Sequence, residues 1–146
     1  MYLSCYAALV IVVFALVGCS SQPAIPRGAV QGQVTLAGQP LTSGRVLFIP
    51  IAPTTGPTVS ATVVNGRYEL PEQAGPVAGQ QRVEVEAELN LGFAIDDEAA
   101  FAQLGGRPLP PNPVPPEFNR QSKLATTINA DAPNTYDISI PAARRW

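Results

Sequence analysis

Three glutamates spaced two residues apart form a cluster of carboxylates that could act in acid catalysis or bind a cation. Glu84, Glu86 and Glu88 alternate with apolar residues within residues 82–89. Because residues two apart share one face of a β-strand, the three carboxylates are expected in a row on one side of a sheet. Ionised carboxylates cost least where water reaches them. The pattern therefore favours a solvated strand face over an acid catalyst or a cation site.

A second acidic group consists of Asp96, Asp97 and Glu98, which precede an apolar segment ending at Gly105. The alternative to consider is a calcium site, but Ca²⁺ takes roughly six to eight oxygen ligands in a set geometry. Three consecutive acids do not supply that geometry. Asp96 can instead cap the first amides of a helix, and Gly105 can end it. We therefore predict one short helix within residues 95–105.

Most catalytic chemistry is excluded by composition. The chain of 146 residues contains no histidine, so Ser-His-Asp and Cys-His arrangements and the commonest metal ligand are missing. Gly105 and Gly106 precede Arg107 and prolines rather than a helix, so no phosphate-binding loop is indicated. The net charge is −2 and the basic residues are scattered, which is not typical of nucleic-acid binding. We expect no catalytic residue, cofactor or metal site, and no nucleic-acid partner.

Lys123 is the sole lysine, and it raises the possibility of a covalent cross-link to an asparagine. Asn129 and Asn134 are the candidate acceptors. A lysine on an edge strand more often serves to discourage aggregation, and this simpler interpretation is preferred.

The two cysteines, Cys5 and Cys19, flank an apolar and uncharged run over residues 6–17. A run of this length matches the hydrophobic region of an export signal, since a transmembrane helix needs about 20 residues. The run closes with the sequence Leu-Val-Gly-Cys at residues 16–19, which resembles the lipobox of bacterial lipoproteins. The alternative is an ordinary cleaved signal in which Cys19 is incidental.

The lipobox resemblance implies that residues 1–18 are a signal peptide and that the mature chain begins at a lipidated Cys19. It also implies palmitate-type acyl chains, whose partner is the lipid of a bacterial envelope membrane. Stable anchoring needs more than one acyl chain, and a lipoprotein cysteine carries two or three. Residues 19–28 are then a polar, proline-containing tether.

The remaining sequence is typical of a single all-β domain over residues 29–141, followed by a tail over residues 142–146. With 16 prolines and 12 glycines spread between apolar stretches, many short strands are favoured over long helices. Asn65-Gly66 is a strong hairpin signal, and residues 107–116 are expected to run as a proline-rich connection. Strands are predicted at residues 30–36, 44–50, 59–64, 67–70, 82–89, 123–128 and 135–140.

Several turn and core residues resemble the carboxypeptidase-regulatory-like, transthyretin-like module. The resemblance rests on Gly32, Val34, Thr35, Leu36, Gly38, Pro40, Leu41, Gly44, Val46, Phe48, Pro50, Gly66, Tyr68, Gly75, Pro76, Gly79, Val83, Pro116, Phe118, Asn119, Ser122 and Leu124. It implies a seven-stranded Greek-key β-sandwich of the prealbumin type, and no particular activity. The transthyretin-like hydrolases depend on histidines, so their activity does not carry over.

Together these patterns predict a membrane-anchored, non-catalytic envelope lipoprotein that acts as a structural or protein-interaction module. The alternative is a carbohydrate-binding module or an accessory domain of an exported enzyme system. A glycan partner would want exposed aromatic rings, for which Phe93, Phe101, Phe118 and Trp146 are the candidates. An envelope protein would bind at a sheet edge or at the excursion over residues 91–116.

Overall fold

The computed structural model describes residues 25–89, 91, 97–103, 105, 108 and 112–142. In this part of the chain the fold is built almost entirely from β-strands, with one short helix, α1 (Glu98–Gln103), and two 3₁₀ turns (Glu72–Ala74 and Pro116–Phe118). Nine strands join through hydrogen bonds into one sheet. They are β1 (Val30–Leu36), β2 (Gln39–Pro40), β3 (Ser43–Pro50), β4 (Val59–Val64), β5 (Arg67–Leu70), β6 (Gly79–Ala87), β7 (Ala125–Ile128), β8 (Asn134–Thr135) and β9 (Ile138–Ile140).

The strands follow the order β2-β1-β5-β4-β3-β6-β7, with antiparallel neighbours. Strand β3 lies between β4 and β6 and pairs with both along most of its length. Its sequence is partly apolar on both faces, as suits a central strand. β8 and β9 pair with β1 in the parallel sense, which places the C-terminal segment along the free edge of β1.

Alternation of apolar and polar residues places the core on the concave face of the sheet. Val46 and Phe48 of β3 and Val83 and Val85 of β6 are each 0% exposed, whereas Arg45, which precedes Val46, is exposed to solvent. The ring of Phe48 packs against Tyr68, with centroids 6.1 Å apart. Because the pattern has a period of two, the same residues that specify the strands also specify the buried face.

The turn at Asn65-Gly66 joins β4 to β5. Both residues have positive φ, 50° at Asn65 and 77° at Gly66, as a tight two-residue hairpin requires. Gly66 also donates its N–H to the Leu41 carbonyl at 2.7 Å and accepts from the Val34 N–H at 2.8 Å. The predicted hairpin is confirmed, and it is bonded to the neighbouring β1–β2 turn.

The first and last edges of the sheet come together at one end, where β7 and β8 are joined by residues 129–133. The Asn134 amide donates to the carbonyls of Ala29, Asn129 and Ala132 at 2.8–3.1 Å, and its Oδ1 accepts from the Asn129 N–H at 2.9 Å. The sheet therefore curls into a half-barrel.

Strand register defines two ends of this half-barrel. The entry end comprises residues 25–29, 51–58, 71–78 and 129–133, next to the start of β1. The far end comprises residues 37–42, 65–66, 88–89, 91 and 141–142, next to the end of β1.

Several predicted elements differ in detail. The strands predicted at residues 82–89 and 123–128 are observed as Gly79–Ala87 and Ala125–Ile128. The helix starts at Glu98, and its cap is Asp97, whose Oδ1 accepts from the Ala100 N–H at 3.0 Å. The predicted cap, Asp96, lies outside the described residues. Gly105 has φ of 58° just beyond the helix, as predicted for its end. The last predicted strand is split in two, because Asp137 Oδ1 accepts from the Gln33 N–H at 2.8 Å and interrupts the ladder.

Candidate functional site

The predicted lipidation residue, Cys19, lies outside the described residues, as do the signal segment and most of the predicted tether. What the structure does place is the point where the chain joins the sheet. The Ala78 N–H donates to the Pro26 carbonyl at 2.9 Å, and the Gly28 N–H donates to the Pro76 carbonyl at 3.0 Å. Arg27 Nη1 donates to the Gly75 carbonyl at 2.7 Å. Within the described residues, backbone pairing with the domain therefore begins at Pro26.

Ile25, immediately before this pairing, is 54% exposed, and it is one of two large apolar side chains that the described surface leaves so open. The described residues contain no helix that is both long enough and apolar enough to span a bilayer.

The glutamate row, which consists of Glu84 and Glu86 of β6 and Glu88 just after it, points away from the core, but its members are not simply solvated. Glu86 pairs with Arg45 of β3 at 2.5 Å, and Glu84 pairs with Arg82 at 2.8 Å. Glu88 accepts a hydrogen bond from the Ser43 hydroxyl. The carboxylates are therefore held by neighbours on the same face.

The prediction of a fully wet face is wrong at Glu84, which is only 8% exposed. The reason is tertiary. In the β3–β6 register Glu84 lies beside Leu47, a half-buried apolar residue, and Arg82 covers it from the same strand. An ion pair with a neighbouring guanidinium offsets the cost of removing this carboxylate from water.

The second acidic group is a helix start where the structure describes it. Asp97 uses its carboxylate to cap α1, and Glu98 occupies the first turn. Across the described ranges, no cluster of three or more histidine, cysteine, aspartate or glutamate side chains could hold a metal ion.

Tyr68 is a buried polar group that the sequence did not single out for function. Its hydroxyl donates to the backbone carbonyl of Tyr136 at 2.5 Å, tying β5 to the break between β8 and β9. Burial raises the pKa of Tyr68 well above its ordinary value, and the charge of Asp137 and the neighbouring Tyr136 add to the effect. Burial also raises the pKa of Tyr136.

Of the residues considered for a cross-link, Asn134 has the side chain with the most partners. Lys123 is exposed two residues ahead of β7, while the Asn134 amide donates to three backbone carbonyls. The hydrogen bonds of the Asn134 side chain could not be predicted from the sequence, because its partners Ala29 and Asn129 contribute only backbone atoms.

Two of the four aromatic residues considered for glycan binding lie within the described residues, and both are half-buried. Phe118 is half-buried and packs against the core, and Phe101 is half-buried on α1. Phe93 and Trp146 lie outside the described residues.

A cleft of about 640 Å³ opens at the far end. It lies between the β1–β2 hairpin and the end of β6. Its lining residues are Leu36, Gln39, Pro40, Leu41, Thr42, Ser43, Ala87, Glu88, Leu89, Leu91 and Pro113.

Comparison of the chain with protein-family models, with curated proteins and with solved structures gives no match in any of the three.

Proposed function

We propose that this chain is a non-catalytic lipoprotein of a bacterial envelope, whose β-domain is held at the membrane by acyl chains on Cys19. The observation that carries the proposal is the apolar run over residues 6–17 closing in a lipobox-like Leu-Val-Gly-Cys. Its position relative to the fold is the supporting feature, since the chain enters the sheet at Pro26, seven residues after Cys19.

The short spacing limits how far the domain can move from the membrane. Each residue of an extended chain spans at most about 3.6 Å, so the link from Cys19 to Ile25 reaches roughly 20 Å. The entry end of the half-barrel is thus held next to the lipid surface, and the far end with its cleft faces away. An anchored body of this kind presents its far end to other envelope components.

For the fold family we propose a variant of the prealbumin-type, seven-stranded Greek-key sandwich. Two of the nine described strands, β2 and β8, contain only two residues each, which leaves seven longer strands. Residues behind the family resemblance also have the expected roles, since Val34 and Phe48 are fully buried and Gly66 is in the hairpin turn. Modules of this type support spacing and contact rather than catalysis.

The role we propose for the domain is structural or protein-interacting, with an envelope protein as the partner. Glycan binding is not put forward as a second function, because Phe118, one of its candidate stacking rings, packs against the core. Binding through the far end is the favoured mode, since an anchor at Cys19 leaves that end accessible.

Metabolic labelling with an alkyne analogue of palmitate tests the proposal in the producing cell. The wild-type chain should incorporate the label, and Cys19→Ala should abolish it. Cys5→Ala is the matched control, because Cys5 lies in the segment that is removed and should leave the label unchanged. Absence of label on the wild-type chain, or equal labelling of Cys19→Ala, would contradict the proposal.

A further inference from the structure

The far-end cleft is lined, among the described residues, by apolar residues, by the uncharged polar residues Gln39, Thr42 and Ser43, and by a single charged side chain. Leu36 and Leu41 contribute from the β1–β2 side, and Leu89 and Leu91 contribute from beyond β6. Among the described lining residues, the only charged side chain is that of Glu88. A cleft of this composition suits an aromatic ring that is next to a cation in its own sequence.

Glu88 differs from the other members of its row. Glu84 and Glu86 each pair with an arginine, whereas the described partner of Glu88 is the uncharged Ser43 hydroxyl. The carboxylate at the cleft is therefore the one that lacks a basic partner among the residues that the structure describes. A guanidinium bound at the cleft would give Glu88 the kind of basic partner that Glu84 and Glu86 already have.

The C-terminal segment leaves the sheet beside this cleft. Strand β9 runs parallel to β1, so the two strands end at the same end of the half-barrel. Ile140 pairs with Leu36, a lining residue of the cleft, and accepts from the Ala37 N–H at 2.8 Å. The chain then continues through the exposed Ala142 into residues 143–146, Ala-Arg-Arg-Trp.

We propose that residues 143–146 dock into the far-end cleft of their own chain, with Trp146 against the leucine walls and the arginine pair beside Glu88. The reach is sufficient, because the six steps from Ile140 to Trp146 span up to roughly 20 Å and paired strands lie about 4.8 Å apart. Charge and composition match as well, since the segment supplies two cations and one large aromatic ring. The docking does not depend on lipidation of Cys19.

Trp146 is the sole tryptophan in the sequence, so its fluorescence reports on the docking directly. In the full-length chain the emission should be blue-shifted, and acrylamide should quench it several-fold less than it quenches a free peptide of residues 141–146. Raising the ionic strength to about 1 M, where the Debye length falls to about 3 Å, should weaken the protection. Emission and quenching equal to those of the free peptide would overturn the proposal.

Charge reversal identifies the cleft as the site. Glu88→Arg should expose Trp146, and combining it with Arg144→Glu and Arg145→Glu should restore the protection. Glu69→Arg, on the outer face of β5 and outside the cleft, is the matched control and should change nothing. Protection that survives Glu88→Arg, or that appears only as protein concentration rises, would contradict docking within one chain. Circular dichroism of each variant checks that the sheet is retained.

Discussion

At the scale of single residues, Tyr68 links the core to the C-terminal segment through one hydrogen bond. The side chain is 4% exposed, and its hydroxyl donates to the Tyr136 carbonyl. Replacing it with phenylalanine keeps the ring in the core but leaves that carbonyl without this donor. Tyr68→Phe should therefore lower the free energy of unfolding at neutral pH by about 1–2 kcal/mol, measured by chemical denaturation.

The same residue makes stability depend on alkaline pH. Because the folded-state pKa of Tyr68 is raised, the unfolded chain ionises first as pH climbs past about 10, its ordinary value. The unfolded state then binds fewer protons than the folded state, so the free energy of unfolding falls with rising pH above that point. Below it the contribution is fully present.

The expected result for Tyr68→Phe is a shallower loss of stability above about pH 10 than in the wild-type chain. Tyr136→Phe should change the slope in the same direction but less, because burial raises the pKa of Tyr136 too while the Tyr68 hydroxyl and its carbonyl acceptor stay in place. An alkaline slope for Tyr68→Phe identical to that of wild type would show that this phenol does not carry the effect.

At the scale of strands, Gly32 allows β1 to approach the junction of β8 and β9. A Cβ at Gly32 would lie 2.1 Å from the Tyr136 carbonyl oxygen, the same atom that Tyr68 bonds. Gly32→Ala should therefore push the C-terminal strands off the edge of β1 and cost about 2–3 kcal/mol in the free energy of unfolding.

Gly38→Ala provides the comparison for that substitution. Gly38 also lies in the β1–β2 region, with φ of 79°, but a Cβ there would meet nothing within 4 Å. The backbone strain alone should cost about 1 kcal/mol. The stability of both variants is measured by thermal and chemical unfolding. If Gly32→Ala is at least as stable as Gly38→Ala, β1 does not approach the C-terminal strands closely at Gly32.

The bounds of a strand can be predicted from the sequence where a few neighbouring residues determine them. The predicted bounds of β1, β4 and β5 match the structure, because alternation and the Asn65-Gly66 turn act over a few residues. The break between β8 and β9 was not predictable in this way. It comes from the Asp137 side chain meeting the Gln33 N–H, 104 residues away in the sequence.

At the scale of the whole molecule, candidate sites differ in the same way. A continuous motif can be found in the sequence, whereas a site formed by distant segments cannot. Cys19 could be singled out because the lipobox-like sequence is continuous and closes an apolar run. The far-end cleft could not, since it forms only when the β1–β2 hairpin, the end of β6 and Pro113 are brought together. The burial of Glu84 was missed for the same reason, as it follows from the register between β3 and β6.

The whole-molecule account depends on where the mature chain begins and what its first residue carries. Mass spectrometry of the N-terminal peptide, isolated from the membrane fraction of the producing cell, measures both at once. If Cys19 is the anchor, the peptide starts at Cys19 and has the added mass of a diacylglyceryl group, with or without a further acyl chain. A peptide that retains residues 1–18, or one that carries Cys19 as a free thiol, would contradict the proposed anchor.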